Sequence, residues 1–231
     1  MSRGARALCS TTALLIISSI VVVAVAVAMG AGSSTATAAA PPTGVAMPPG
    51  VEKLGAGLLL CRPAAAKGGG VEVLLLRRRS KHHGGAWGLP GGNAEPSDGS
   101  LLQTAAREAR EEMGGSGGGG RNSNGSNSGL PPFVVRARLD TRRGKRGQKL
   151  YVVFVAFVDG ADAAAYRPAL NEEHSDWRWF PAGEVERAAS GGVGGEQVEL
   201  HPVVALAMRE AGGAKGLARL VLEGGGDPGA G

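Results

Sequence analysis

The run Arg107-Glu108-Ala109-Arg110-Glu111-Glu112 puts three carboxylates within five residues. On a helix, positions three and four apart share a face. Glu108, Glu111 and Glu112 therefore project to one side, opposite a stripe of Leu102, Ala105, Ala109 and Met113. Three carboxylates held that close repel one another unless a cation sits among them. Hard oxygen ligands select Mg²⁺ or Mn²⁺. Taken alone, such a run is more often a solvated face of exposed charge pairs. The residues upstream shift the balance toward the metal. Gly91-Gly92 is a turn at which backbone groups can approach a metal or phosphate with no side chain in the way. Glu95-Pro96-Ser97-Asp98 then places an acid-bearing loop between that turn and the helix.

Those residues need a scaffold, and the flanking sequence supplies its elements. Ser100 and Gln103 match a capping box, and Gly114 stops the helix. Leu54–Cys61 and Val71–Leu76 are apolar runs with strand character. Trp87-Gly88-Leu89-Pro90-Gly91-Gly92 reads as a short strand breaking into a tight turn. Phe133–Leu139 and Leu150–Val158 are strands joined by the basic segment Asp140–Lys149, which predicts a hairpin. Trp177–Phe180 is a further strand; Pro181–Ala189 and His201–Ala211 are helix candidates. The Gly/Ser/Asn tract 114–129 has too little apolar surface to order itself and reads as a disordered insertion.

The stretch from Gly92 to Gly114 resembles the Nudix hydrolase box: Gly, five residues, an acid, a spacer, Arg-Glu, an aliphatic, any residue, Glu-Glu, any residue, Gly. Here Gly92 is followed after five residues by Asp98 where the box has Glu. Eight rather than seven residues separate Asp98 from Arg107-Glu108, and Gly115 stands at a usually aliphatic position. The spacing looks like the variant box of coenzyme A-type members, although the flanking signature of that subfamily is missing. The resemblance covers roughly Leu54 to Leu222. It implies an α/β/α sandwich on a mixed sheet. It also implies that Glu108, Glu111 and Glu112, with the Gly91 carbonyl, hold Mg²⁺ or Mn²⁺. Arg107 would pair with Asp98 to orient the loop. A metal-bound water would attack phosphorus, with Glu112 or a loop acid as base.

Other groups carry two readings each. Arg142, Arg143, Lys145, Arg146 and Lys149 crowd the expected hairpin turn with Gln148 among them. They are either a polyphosphate contact or a solvated turn. Glu172 or Glu173 supplies a further ligand or base, or the two are ordinary loop acids. Trp87 either stacks on a nucleobase or packs beneath the turn. His82 and His83 either touch phosphate or lie on the surface.

The bulk composition sets limits. With 25 Lys+Arg against 20 Asp+Glu the chain carries +5, which suits a phosphate-rich ligand but is too small by itself to argue for nucleic acid. Aromatic residues make up only 4%, so no stacking array accompanies the charges. Two cysteines, Cys9 and Cys61, argue against a disulfide framework. Residues 1–40 hold an apolar stretch, 13–31, preceded by Arg3 and Arg6 and followed by small residues. That pattern predicts a signal or transit segment or a membrane anchor, hence membrane or organelle association. Residues 41–53 read as a linker, 54–222 as the catalytic domain and 223–231 as a loose tail. The expected function is a metal-dependent hydrolase cleaving the diphosphate of a small nucleotide-type substrate. The candidates are a nucleoside triphosphate, a dinucleoside polyphosphate, a sugar nucleotide or coenzyme A. A non-catalytic nucleotide-binding regulatory module of the same fold is the alternative, and a membrane-tethered nucleic-acid binder ranks last.

Overall fold

The β-branched and leucine-rich runs pair into one seven-stranded sheet in a computed structural model of the chain, which describes residues 45–65, 70–79, 83–114, 129–191 and 198–223. The strands are β1 (Lys53–Pro63), β2 (Val71–Arg78), β3 (Trp87–Gly88), β4 (Gly91–Asn93), β5 (Val134–Arg143), β6 (Lys149–Phe157) and β7 (His174–Pro181). Their spatial order is β3-β2-β1-β6-β5, with β4 also on β1 and β7 also on β2. The β1·β6 pair is parallel, whereas the other pairings are antiparallel, so the sheet is mixed.

Alternation along the central strands feeds two cores. Leu54, Leu58, Leu60, Leu74, Leu76, Val152 and Phe154 face α1 (Leu101–Met113). Leu59, Cys61, Val73, Leu75, Val153 and Val155 face α3 (Ala182–Ala189), α4 (Pro202–Glu210) and α5 (Gly213–Leu222). Helices thus cover both faces of the expected α/β/α arrangement. A short α2 (Gly160–Ala165) starts at Asp159, whose carboxylate accepts the Ala161 N–H at 2.8 Å.

Several expectations shift. The hairpin strands extend inward, so Arg142, Arg143 and Lys149 lie in strands and the turn is confined to Gly144–Gln148. Leu102 is exposed rather than part of the buried stripe; the stripe runs through half-buried Leu101 to Ala105, Ala109 and Met113, each four residues on. Val51 is buried and Val45 half-buried against the α1-side core, so packing begins inside the expected linker. The apolar stretch 13–31, His82, residues 115–128 and those beyond Glu223 lie outside the described residues. No helix of the described residues is long and apolar enough to cross a membrane.

Candidate active site

The site is built where β4 lies over α1. Ser100 caps the helix by accepting the Gln103 N–H at 3.2 Å, while the Gln103 side chain accepts the Gly99 N–H at 2.8 Å. The reciprocal half of the capping box is thus displaced by one residue toward the loop. Asp98 and Arg107 meet despite the additional residue between them: Nε to Oδ1 at 3.1 Å and Nη2 to Oδ2 at 3.1 Å. Asp98 is buried and also accepts the Glu95 N–H at 2.9 Å and the Thr104 hydroxyl at 2.8 Å. The Arg107 guanidinium holds its carboxyl down at about 2, with those two further bonds adding.

Arg107 does more than hold the loop. Its Nη2 donates to the Asn93 carbonyl at 3.1 Å, tying α1 to β4. Its Nη1 approaches Glu108 at 3.0 Å, Glu111 at 3.3 Å and Glu95 at 3.6 Å. One guanidinium therefore gathers four carboxylates, two of them from the expected metal cluster.

The three glutamates do not share one exposed face. At 3.6 residues per turn, Glu111 points about 100° away from Glu112. The Glu111 side chain is 56% exposed, whereas Glu112 is turned under β4 and is 5% exposed. Glu112 Oε2 accepts the Gly91 N–H at 3.0 Å. Burial pushes its carboxyl up to about 8; the Gly91 N–H and Arg78 pull it down, and the Glu108 and Glu173 carboxylates push it further up. Glu108 lies against Gly92, where a Cβ would overlap its carboxylate. Burial raises the Glu108 carboxyl as well, against the pull of Arg107. Gly91 sits at φ +150°, and a Cβ there would meet the Ala56 carbonyl, Gly57 Cα and the Tyr151 hydroxyl. The glycine turn is thus a steric requirement of this site. Gly91 enters it through its N–H. Among the described residues no three His, Cys, Asp or Glu side chains converge closely enough to hold a metal; Glu108 and Glu111 turn to Arg107, and Glu112 turns under β4.

The remaining expected residues fall in three places. Glu173 lies in the loop before β7, near enough to act on the Glu112 carboxyl, and Glu172 is exposed beside it. Arg142 donates to the Gly147 carbonyl at 3.4 Å, Gln148 Oε1 accepts the Arg146 N–H at 3.0 Å, and Arg143 lies over the Tyr151 ring at 5.4 Å. Trp87 is half-buried and forms a T-shaped pair with Phe180, ring centroids 4.8 Å apart at 73°, against the α3–α5 core. His83 meets His201 edge-on at 5.2 Å.

Two groups at the site carried no assignment from sequence. Arg78 acts electrostatically on Glu112, Tyr151, His174 and His201. It stood inside a basic run, but a register shift of β2 against β7 between Arg77 and Arg78 redirects it. No local pattern announces that shift. Tyr151 reaches the site because Gly55, Gly57 and Gly91 leave room for its ring and hydroxyl. The glycines in the apolar run of β1 were the available signal.

A NUDIX-domain family model matches residues 52–198. No curated protein matches the chain. Among solved structures, a C. elegans Ap4A hydrolase binary complex aligns at 20% identity and a TM-score of 0.43, covering 73% of this chain and 93% of that one. The Nudix hydrolase RenU from M. smegmatis aligns at 26% identity and 0.44, covering 67% and 80%. A NUDIX hydrolase from Alicyclobacillus acidocaldarius aligns at 20% identity and 0.47, covering 74% and 93%.

Proposed function

This chain belongs to the NUDIX-domain family of pyrophosphohydrolases, and we propose that it cuts the diphosphate linkage of a nucleoside diphosphate derivative in a reaction dependent on Mg²⁺ or Mn²⁺. The observation that carries the reading is the buried Glu112 carboxyl, beside Glu108 and under a glycine turn that admits no side chain. A carboxyl raised to about 8 by burial favours a partner that restores its charge, and a hard divalent cation does so with oxygen donors alone. The donors are hard oxygens, as such an ion needs: Glu108 and Glu112 lie under the turn and would hold it, joined by Glu111 once its exposed side chain leaves Arg107. Once bound, such an ion polarises phosphoryl oxygens and supplies an activated water.

The chain's own groups do the rest. Arg107 fixes α1 against β4 and the Asp98 loop, so that Glu108 and Glu112 keep their places under Gly91-Gly92. The candidate base is Glu112 or the loop acid Glu173 near it. Arg78, which acts on the Glu112 carboxyl, would oppose negative charge on the departing phosphate. The substrate is a nucleoside triphosphate, a dinucleoside polyphosphate, a sugar nucleotide or coenzyme A. The regulatory-module reading rested on the altered spacing of the box; since Asp98 and Arg107 meet in both oxygens, the spacing lends it no support.

The test is Mg²⁺-dependent release of a monophosphate product across that nucleotide panel, with Glu111→Gln and Glu112→Gln proteins alongside. Turnover unchanged by both substitutions sinks the catalytic assignment; tight nucleotide binding with no turnover favours the regulatory module. Gly92→Ala adds a steric check. Its Cβ displaces the Glu108 carboxylate, so kcat/KM is expected to fall by about 10–100-fold, as for a disturbed metal ligand. Its melting temperature should stay close to that of the parent. Undiminished turnover in Gly92→Ala would mean that the Glu108 position is immaterial.

A further inference from the structure

The register of three neighbouring strands brings together cations that lie far apart in the chain. Lys53 on β1 is the direct partner of Lys149 on β6, and Lys149 is the direct partner of Arg143 on β5. Direct cross-strand partners point to the same face, so the three side chains form one row across the sheet. Like charges placed so destabilise a sheet. Among the described residues no acidic side chain forms an ion pair with any of the three. Arg143 Nε is in addition buried without a hydrogen-bond partner. A cavity of about 180 Å³ opens at the row, lined by its three cations, by Asn93 and Tyr151, and by the intervening Leu54, Gly55 and Leu150. Three cations around a small cavity are suited to an anion.

The row also lies in line with the site. Two residues further along the same strands come Gly55 and Tyr151, and two beyond them Gly57, the partner of Gly91 on β4. At about 3.3 Å per residue the row stands roughly 13 Å from the Gly57 position. Arg143 covers the Tyr151 ring, and the Tyr151 hydroxyl reaches Gly91. A bound anion at the row would thus be linked to the cleavage site through Tyr151 and through Asn93, whose carbonyl accepts from Arg107, yet lie to one side of the two phosphates flanking the bond being cut.

We propose that Lys53, Lys149 and Arg143 form a rail that binds a phosphate remote from the scissile diphosphate, so that the preferred substrate carries either a chain of more than two phosphates or a separate phosphomonoester. The proposal rests on the pyrophosphohydrolase reading and deepens it by selecting among its substrates. A sugar nucleotide with only two phosphates leaves the rail empty. Lys53 becomes a specificity-determining residue.

The experiment has a binding arm and a turnover arm. In metal-free buffer containing EDTA, calorimetry on the full chain is expected to show inorganic tripolyphosphate binding at least about tenfold more tightly than pyrophosphate. Lys53→Gln with Lys149→Gln should erase that preference, and Arg143→Gln should weaken it. In the turnover arm two pairs separate the sources: a dinucleoside tetraphosphate against a dinucleoside diphosphate, and coenzyme A against dephospho-coenzyme A. In the pair that matches the true substrate, Lys53→Gln should raise KM for the more phosphorylated member by about tenfold, with kcat changed much less, and move its counterpart little. Equal binding of tripolyphosphate and pyrophosphate overturns the rail, as does a Lys53→Gln effect of the same size on both members of each pair. Absence of turnover on every substrate would refute the proposed function instead, and the polyphosphate titration would still decide the rail.

Discussion

Replacing Glu112 with glutamine is expected to lower kcat by about 10³-fold, within the range of a lost general acid–base group, and to remove the Glu112 contribution to the pH dependence of stability in the metal-free protein. Glutamine keeps the acceptor for the Gly91 N–H and nearly the same volume, so the fold should persist. The sign of the pH effect follows from the direction of the shift. The buried carboxyl titrates at about 8 rather than at its ordinary 4.5. Below 4.5 both folded and unfolded chains hold the proton, and Glu112 places no charge in the fold. Between 4.5 and 8 the unfolded chain releases its proton while the folded chain keeps it. The Glu112 contribution to stability therefore falls with rising pH across that window and levels off above 8, by no more than about 5 kcal/mol.

Divalent metal reverses the preference, because it favours the ionised carboxylate. Melting curves from about pH 6.5 to 9, above the range in which His174 and His201 titrate, should with EDTA decline for the parent and run flatter for Glu112→Gln. Adding Mg²⁺ at pH 8 should raise the parent's Tm and raise that of the variant less. Parallel curves for the two proteins, with equal Mg²⁺ responses, would show that Glu112 is neither buried as a neutral acid nor a metal ligand.

The contrast between Glu112 and Glu111 marks what the sequence could and could not disclose. Helical periodicity placed both on α1, and the Ser100 cap and Gly114 stop set its ends to within a residue. It could not tell which glutamate is buried, since that depends on β4 crossing above the helix, a contact between Gly91 and a residue 21 positions later. The strands were legible for a similar local reason: runs such as Val71–Leu76 are rich in side chains that suit a pleated, half-buried surface. α5 was not, because Gly213 and Gly216 weaken its helical pattern. It is held by tertiary packing of Leu217 and Val221. At Gly216 a Cβ would press on the Ala211 carbonyl, so the same glycine that hides the helix in sequence permits it in space. The cation row was hidden most deeply. Lys53 and Lys149 meet through a parallel pairing of strands that are distant in sequence, and a one-residue slip would send them to opposite faces.

The pair Asp98 and Arg107 should respond to substitution in a different way, because it positions the site and does not touch the reacting atoms. Asp98→Asn leaves the guanidinium facing a neutral partner, and at pH 7 this should cost about 2–3 kcal/mol. That is below the range for a fully buried pair, since the Arg107 side chain is 23% exposed. The loss should shrink on acidification. With the Asp98 carboxyl held at about 2 against an ordinary 3.8, its contribution is complete above 3.8 and disappears as pH falls through 2. Arg107→Lys should be at least as damaging, for a single ammonium cannot serve Asp98 in both oxygens, the Asn93 carbonyl and Glu108 at once. Asp98→Glu restores the acid usual in the family box, yet it should destabilise by about 1–3 kcal/mol, because the extra methylene has to enter a buried position already bonded to Arg107, Thr104 and Glu95. With the shorter side chain and the longer spacer, the acid meets both nitrogens of the guanidinium. Activity separates this role from that of Glu112. A helix set slightly out of place binds metal less tightly, so kcat/KM of Asp98→Asn should drop by about 10–100-fold and recover in part as Mg²⁺ is raised. The deficit of Glu112→Gln should not recover, because the missing group is the base itself. If Asp98→Glu proves more stable than the parent, or if Mg²⁺ rescues both variants alike, the division between a positioning pair and a catalytic carboxyl is wrong.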